Sequence, residues 1–261
     1  MRGSNDHRAH ACMRVHGRLA RFVAPHRRGA WFRFAFDGRP ALKDPVEAAG
    51  VPHTEVVQVL VDGEPASLST RLRGGEHVEV HPVERQQAGD PPRFVLDVHL
   101  GRLARDLRLL GIDAAWQPGH DDDALQACAA GQRRVLLTRD VGLLKRTDVP
   151  AGAFVYVTDP AGQLSEVLSR FGLAAHLRPY TRCSRCNAPV DAVEAAAVAA
   201  QVPARVLDAT RRFSRCRGCL QVYWRGTHEA GLRERLAVAG VDFVFPDPSP
   251  VSHPPAPHEP A

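Results

Sequence analysis

Three short apolar runs in the middle of the chain each lead into an aspartate. Phe94-Val95-Leu96 precedes Asp97, Val135-Leu136-Leu137 precedes Thr138-Arg139-Asp140, and Val155-Tyr156-Val157 precedes Thr158-Asp159. Runs this short and apolar, separated by stretches of helix length, predict strands of a parallel sheet covered on both faces. Right-handed crossovers bring the carboxyl ends of such strands to one edge, where open α/β sheets bind their ligands. The pattern predicts an α/β domain over residues 93–177 with acidic groups along one edge.

A further acidic group, Asp121-Asp122-Asp123, opens a helical run through Ala124, Leu125, Ala127 and Cys128. It reaches the same edge if residues 114–116 form another strand of the sheet. Gathered carboxylates repel one another, and a hard divalent cation removes that repulsion. Mg²⁺ held this way activates water and stabilises the leaving oxygen of a phosphodiester. A plainer reading stays open beside it. Asp97 and Asp121 to Asp123 also suit the caps and first turns of the helices that follow, and Asp159-Pro160 suits an ordinary turn.

The helix predicted after Asp97 places Leu100, Leu103, Ala104, Leu107 and Leu110 on one side. Arg102, Arg105 and Arg108 repeat at three-residue spacing on another. A basic ridge beside an acidic site suits a nucleic-acid backbone, although a solvated helix face reads the same way. Overall charge does not decide: 34 basic against 29 acidic residues give only +5. Nearly all the positive charge is arginine, which matches phosphates well, but a GC-rich genome produces the same bias.

Four of the six cysteines fall in Cys183-Ser184-Arg185-Cys186 and Cys216-Arg217-Gly218-Cys219. Two such knuckles complete a tetrahedral Zn²⁺ site with no open position, which predicts a structural zinc ribbon over residues 178–230. The N-terminus has no apolar leader run, so metal is favoured over disulfides, and the helix start expected of a redox CxxC is missing. Arg182, Arg185, Arg211, Arg212, Arg215, Arg217 and Arg225 surround the knuckles. Part of their charge offsets the thiolates, and the rest is available to phosphates. Tyr223 and Trp224 either pack the ribbon or stack on an unpaired base. Cys12 and Cys128 have no assigned part.

Residues 13–84 alternate apolar and polar positions in AWFRFAF and VVQVLV, with turn signals at Asp62-Gly63 and Gly74-Gly75. A helix is expected near residues 43–49, started by Asp44-Pro45. Strand, strand, helix, strand, strand is a β-grasp order. Residues 1–12 read as a disordered extension before MRVHGRLARFV, which reads as the first strand, so Met13 is a candidate alternative start. Residues 85–92 read as a linker, 231–243 as a terminal helix and 244–261 as a Pro-rich disordered tail. No apolar run reaches membrane-spanning length, so no membrane role and a cytoplasmic location are expected.

The segments FVLDVHLGRLARDLRLLGIDA, DDDALQACA and VLLTRDVGLLKR resemble the Mut-seven-C RNase domain family, a PIN-like nuclease fold. The resemblance continues colinearly through the zinc ribbon to YWRGTH. It implies a metal-dependent ribonuclease in which Asp97, Asp122 and Asp140, with Asp159, form the acidic Mg²⁺ or Mn²⁺ site, Asp97, Asp122 and Asp140 being the direct ligands. Zn²⁺ would sit on Cys183, Cys186, Cys216 and Cys219. Read from the charge pattern of the chain itself, the expected RNA contacts are Arg102, Arg105, Arg108, Arg139, Arg185, Arg217, Trp224 and Arg225. Residues 13–84 resemble the ubiquitin-like, sulfur-carrier-type domain that precedes this RNase domain in some bacterial proteins. Sulfur carriers act through a free C-terminal Gly-Gly. Gly74-Gly75 lies in an internal turn, so docking of a protein partner or of RNA is the expectation left for that domain. A non-catalytic RNA-binding or adaptor protein with the same fold is the alternative.

Overall fold

The structure is a computed structural model that describes residues 8–210, 213–224, 232–234, 236–237 and 240. Arg225, residues 1–7, the tail 244–261 and most of the expected helix 231–243 lie outside the described residues. No helix among the described residues is long and apolar enough to cross a membrane.

The N-terminal unit holds β1 (Ala9–Val15), β2 (Phe32–Phe36), α1 (Lys43–Ala48), β3 (Val56–Val61), β4 (Glu64–Ala66) and β5 (His77–Pro82). Its sheet runs β2-β1-β5-β3-β4, with β1 and β5 parallel at the centre. This is the β-grasp arrangement expected. Met13, Val15, Val78 and Val80 face a core closed by Leu19, Leu42, Val46 and Leu72. One boundary differs: β1 begins at Ala9, inside the expected extension, and Ala9 already pairs with Phe36. Alternating Ala9 and Ala11 carry little apolar area, so the strand period is weak before Met13. The strand also stops at Val15, and Gly17–Phe22 form a 3-10 turn instead.

The second unit contains β6 (Arg93–Leu96), α2 (Gly101–Leu109), β7 (Asp113–Ala115) and α3 (Asp122–Gly131). It continues through β8 (Val135–Thr138), α4 (Val141–Leu144), β9 (Gly152–Phe154) and α5 (Pro160–Arg170). The sheet order is β7-β6-β8-β9, and every pair is parallel. Phe94 and Leu96 pack with Leu103, Leu107, Leu164 and Leu168 on one face. Val95 and Leu136 pack with Leu125, Ala129, Leu143 and Leu144 on the other. Leu232 and Leu236 join the first of these cores. Gly101 allows α2 to lie against Trp116, since a Cβ there would come within 2.6 Å of the indole ring.

The last strand is displaced from the expected position. Strand pairing uses Gly152–Phe154, not Val155-Tyr156-Val157. Val155 still donates its N–H to the carbonyl of Thr138, and the chain departs at Tyr156, where Glu166 accepts the N–H groups of Tyr156 and Val157 and Arg139 holds the carbonyls of Val155 and Val157.

The third unit is an antiparallel sheet of β10 (Val190–Val193), β11 (Phe213–Cys216) and β12 (Val222–Trp224), with α6 (Ala204–Ala209) between the first two strands. The β-grasp and cysteine units flank the parallel sheet and cap its two edges. At β9, Glu55 accepts the N–H of Phe154 and Gln86 donates to the carbonyl of Gly152. At β7, Asn187 accepts the N–H of Ala114 and Arg108 donates to its carbonyl. An uncovered edge presents unpaired backbone groups to other strands, so these side chains close the sheet. The expected linker is part of this closure, because Gln86 also donates its N–H to Arg170 and Ala88 is buried.

Candidate active site and metal centre

Parallel pairing puts the residues after β6, β7, β8 and β9 at one end of the sheet. Asp97 follows β6 directly and is only 5% exposed. Its Oδ1 accepts the backbone N–H of His99 at 2.7 Å, and its Oδ2 accepts the Thr138 hydroxyl at 2.6 Å. Thr138 ends β8, and its Oγ1 accepts the N–H of Asp140 at 2.9 Å. Thr138 thus links the backbone around Asp140 to the carboxylate of Asp97. No ion pair to Asp97 exists among the described residues. Other buried acids are treated differently: Glu55 pairs with Arg170 at 2.8 Å, and Asp113 with Arg134 at 2.6 Å.

Asp140 is exposed, and its Oδ1 accepts the N–H groups of Gly142 and Leu143 at the start of α4. Asp159 is exposed and caps α5 through the N–H of Gly162. Asp121 caps α3 through the N–H of Ala124, Asp122 stands exposed in its first turn, and Asp123 pairs with Arg146. The cap reading and the edge reading therefore hold together, since helix starts and strand ends coincide at this side of an α/β sheet. Among the described residues, no three of these carboxylates have ligand atoms within 4.8 Å of one another.

The expected arginine ridge divides. Arg102 and Arg105 are exposed on α2. Arg108 is 2% exposed and is not available to RNA. Its Nε donates to Ala114, its Nη2 to Trp116, and its Nη1 to the carbonyls of Ser184 and Arg185. Three-residue steps on a helix of 3.6 residues per turn rotate by about 60° each, so Arg108 lies about 120° round from Arg102, on the buried flank. Arg139 is half-buried, and its Nη1 donates to backbone carbonyls near β9. Arg185 is exposed and bonds Gln221, Arg217 forms a two-point ion pair with Asp191, and Trp224 is 38% exposed.

The four knuckle cysteines form a single cluster with all Sγ atoms within 4.8 Å of one another. Cys183 and Cys219 are 3.5 Å apart, and Cys186 and Cys216 are 3.4 Å apart. Sulfurs at about 2.3 Å from a tetrahedral Zn²⁺ stand about 3.8 Å apart, so the cluster fits the ion. Backbone N–H groups of Gly218 and Cys219 point at Cys216. The Tyr223 hydroxyl lies 3.0 Å from the Cys183 sulfur. Burial pushes the Cys183 thiol up, but hydrogen bonds from Tyr223, from backbone N–H groups and from Cys219 outweigh it and bring it to about 6. Burial and its role as a donor to the other sulfurs push Cys219 up to about 12.

Sequence reasoning missed Thr138, Tyr223 as a partner of Cys183, and Glu55. Thr138 had a usable signal, a hydroxyl at the end of an otherwise apolar strand.

Residues 92–236 match the family model described as the Mut7-C RNAse domain, and residues 8–88 match that described as Mut7-C ubiquitin. No curated protein matches the chain. Two crystal structures of small archaeal modifier protein 1 from Haloferax volcanii are similar to it, at 22% and 19% identity. Those matches cover 28% of this chain and 97% and 94% of the archaeal chains, with TM-scores of 0.23 and 0.24.

Proposed function

The chain belongs to the Mut7-C RNAse domain family, and from that premise we propose that it is a metal-dependent ribonuclease whose centre is Asp97. The observation that carries this reading is the buried Asp97 carboxylate, which has no ion-pair partner among the described residues, at the carboxyl edge of the parallel sheet. Burying a carboxylate is costly unless it is paired or coordinates a metal. Asp97 and Asp140 are the direct ligands in this reading, with Asp122 and Asp159 acting through water. Mg²⁺ suits that division, because it takes one or two carboxylates and keeps several waters. Bound there, Mg²⁺ or Mn²⁺ supplies a hydroxide-like water and charge stabilisation at the phosphodiester.

The chain's own groups orient the rest. His99 N–H and the Thr138 hydroxyl fix the Asp97 carboxylate. Arg102 and Arg105 on α2 hold phosphates of an RNA strand approaching the edge. The cysteine unit is read as a structural zinc ribbon that extends this surface through Arg185, Trp224 and, outside the described residues, Arg225. A non-catalytic RNA-binding role is the second reading, favoured by the helix caps that Asp97, Asp121, Asp140 and Asp159 make.

Cleavage and binding of a labelled RNA by the wild type, Asp97→Asn and Asp140→Asn separate the two. Catalysis predicts a cleavage loss of about 100-fold or more in each variant with salt-sensitive RNA binding retained. Equal turnover in all three would sink the catalytic reading.

A further inference from the structure

A second cluster of metal-ligating side chains lies in the β-grasp unit, on residues that the ribonuclease reading does not use. β1 and β5 pair so that Arg14 stands beside Glu79 and Val15 beside Val80. Val15, Val78 and Val80 enter the core. Strand alternation therefore sets Glu79 and His81 on the opposite face. His16 joins them at the end of β1, where its backbone N–H donates to the carbonyl of Val80 at 2.9 Å. Gly17, at φ +53°, turns the chain away immediately after it, a conformation that glycine adopts without strain.

A ring nitrogen of His16, a ring nitrogen of His81 and a carboxylate oxygen of Glu79 lie within 4.8 Å of one another. His16 Nε2 is 2.8 Å from Glu79 Oε2, and the two imidazole rings stack 4.2 Å apart with planes 6° from parallel, so one ring must turn on its side-chain bonds for both nitrogens to face a shared ion. His81 Nε2 is buried without a hydrogen-bond partner among the described residues. A buried polar atom left unpaired is costly and calls for an explanation such as an ion.

We propose that His16, Glu79 and His81 form a binding site for a divalent transition-metal ion of the Zn²⁺ class. Two imidazoles and one carboxylate suit such an ion better than Mg²⁺ or Ca²⁺, which prefer oxygen. Three protein ligands leave one position for water. Arg14 flanks Glu79 on β1, while β3 contributes the uncharged Gln58 beside His81 and Leu60 beside Glu79. The ion would clamp the ends of β1 and β5 just before the chain leaves for the parallel sheet.

The test is two separate titrations of the full chain with only its cysteine cluster filled by Zn²⁺, one with Zn²⁺ and one with Co²⁺. The wild type should retain a second Zn²⁺ per chain after gel filtration, and His16→Gln/His81→Gln should retain one. Co²⁺ added to wild type that holds Zn²⁺ in the cysteine cluster alone should give visible d–d bands without thiolate charge transfer, a readout that needs no variant. A single Zn²⁺ in the wild type, a second Zn²⁺ that survives the double substitution, or absence of those cobalt bands would overturn the site.

Discussion

Asp97 and Asp113 are both buried acids of the parallel sheet, and they are handled in opposite ways. Burial pushes the Asp113 carboxyl up, but hydrogen bonds from Arg134 and Asn187, with the charges of Arg134 and Arg182, outweigh burial and hold it below the usual carboxylate range. A folded pKa below the unfolded one gives stability that is complete above the unfolded value of 3.8 and is lost as pH falls through the folded value. Chemical denaturation against pH should therefore show wild type and Asp113→Asn furthest apart above that value and converging in more acid solution. Asp97 has no arginine side chain paired with it among the described residues, and its carboxylate is oriented by the His99 and Arg139 N–H groups and the Thr138 hydroxyl. Thr138→Val should lower RNA cleavage by about 10- to 100-fold, the range for a residue that orients a metal ligand. The same change leaves Asp97 Oδ2 and the Asp140 N–H without that partner, so melting should also fall, by the equivalent of about 1–3 kcal/mol, and Thr138→Ser, which keeps the hydroxyl, should restore cleavage. Asp97 and Asp140 were legible as strand-end acids because β6 and β8 are apolar runs, whereas the third run was misplaced, since pairing uses Gly152–Phe154 and Asp159 caps α5. Thr138 was not legible, because its role depends on β6 and β8 being neighbours.

The edge strands β7 and β9 depend on side chains at the junctions between units, and those side chains are where substitutions should cost most. Arg108 donates to four carbonyls across the junction of α2, β7 and the first cysteine knuckle. Arg108→Ala should destabilise the chain by at least about 3 kcal/mol in a denaturant titration. Arg102→Ala and Arg105→Ala, both exposed, should stay within about 0.5 kcal/mol of wild type and instead weaken RNA binding. Glu55, fully buried, accepts from Phe154, Arg170 and the Tyr156 hydroxyl. Glu55→Gln leaves Arg170 as a buried unpaired charge, for which about 3–5 kcal/mol is expected. Neither residue was identifiable as a tie from sequence. Arg108 matched a solvated basic stripe by spacing, and its burial follows from helix rotation and the docked knuckle. Glu55 sits beside a strand start with nothing local to mark the distant Arg170 as its partner.

At the scale of the molecule, the β-grasp unit, the parallel sheet and the cysteine unit share their junctions through buried polar groups rather than standing apart on linkers. The order of units was legible from texture and cysteine spacing. Their packing was not, because it depends on long-range pairs such as Glu55 with Arg170 and Asp113 with Asn187. In the proposed reading, the carboxyl end of the sheet, where Asp97 lies buried, is where the metal and RNA bind. The most direct test is cleavage of a labelled RNA by the full chain, with EDTA and then with added Mn²⁺ or Mg²⁺, beside Asp97→Asn under the same conditions. Cleavage that stops with EDTA, returns with the ion and falls by about 100-fold or more in the variant is the predicted result. Cleavage that persists in EDTA, or an equally active Asp97→Asn chain, would contradict an Asp97-centred metal site.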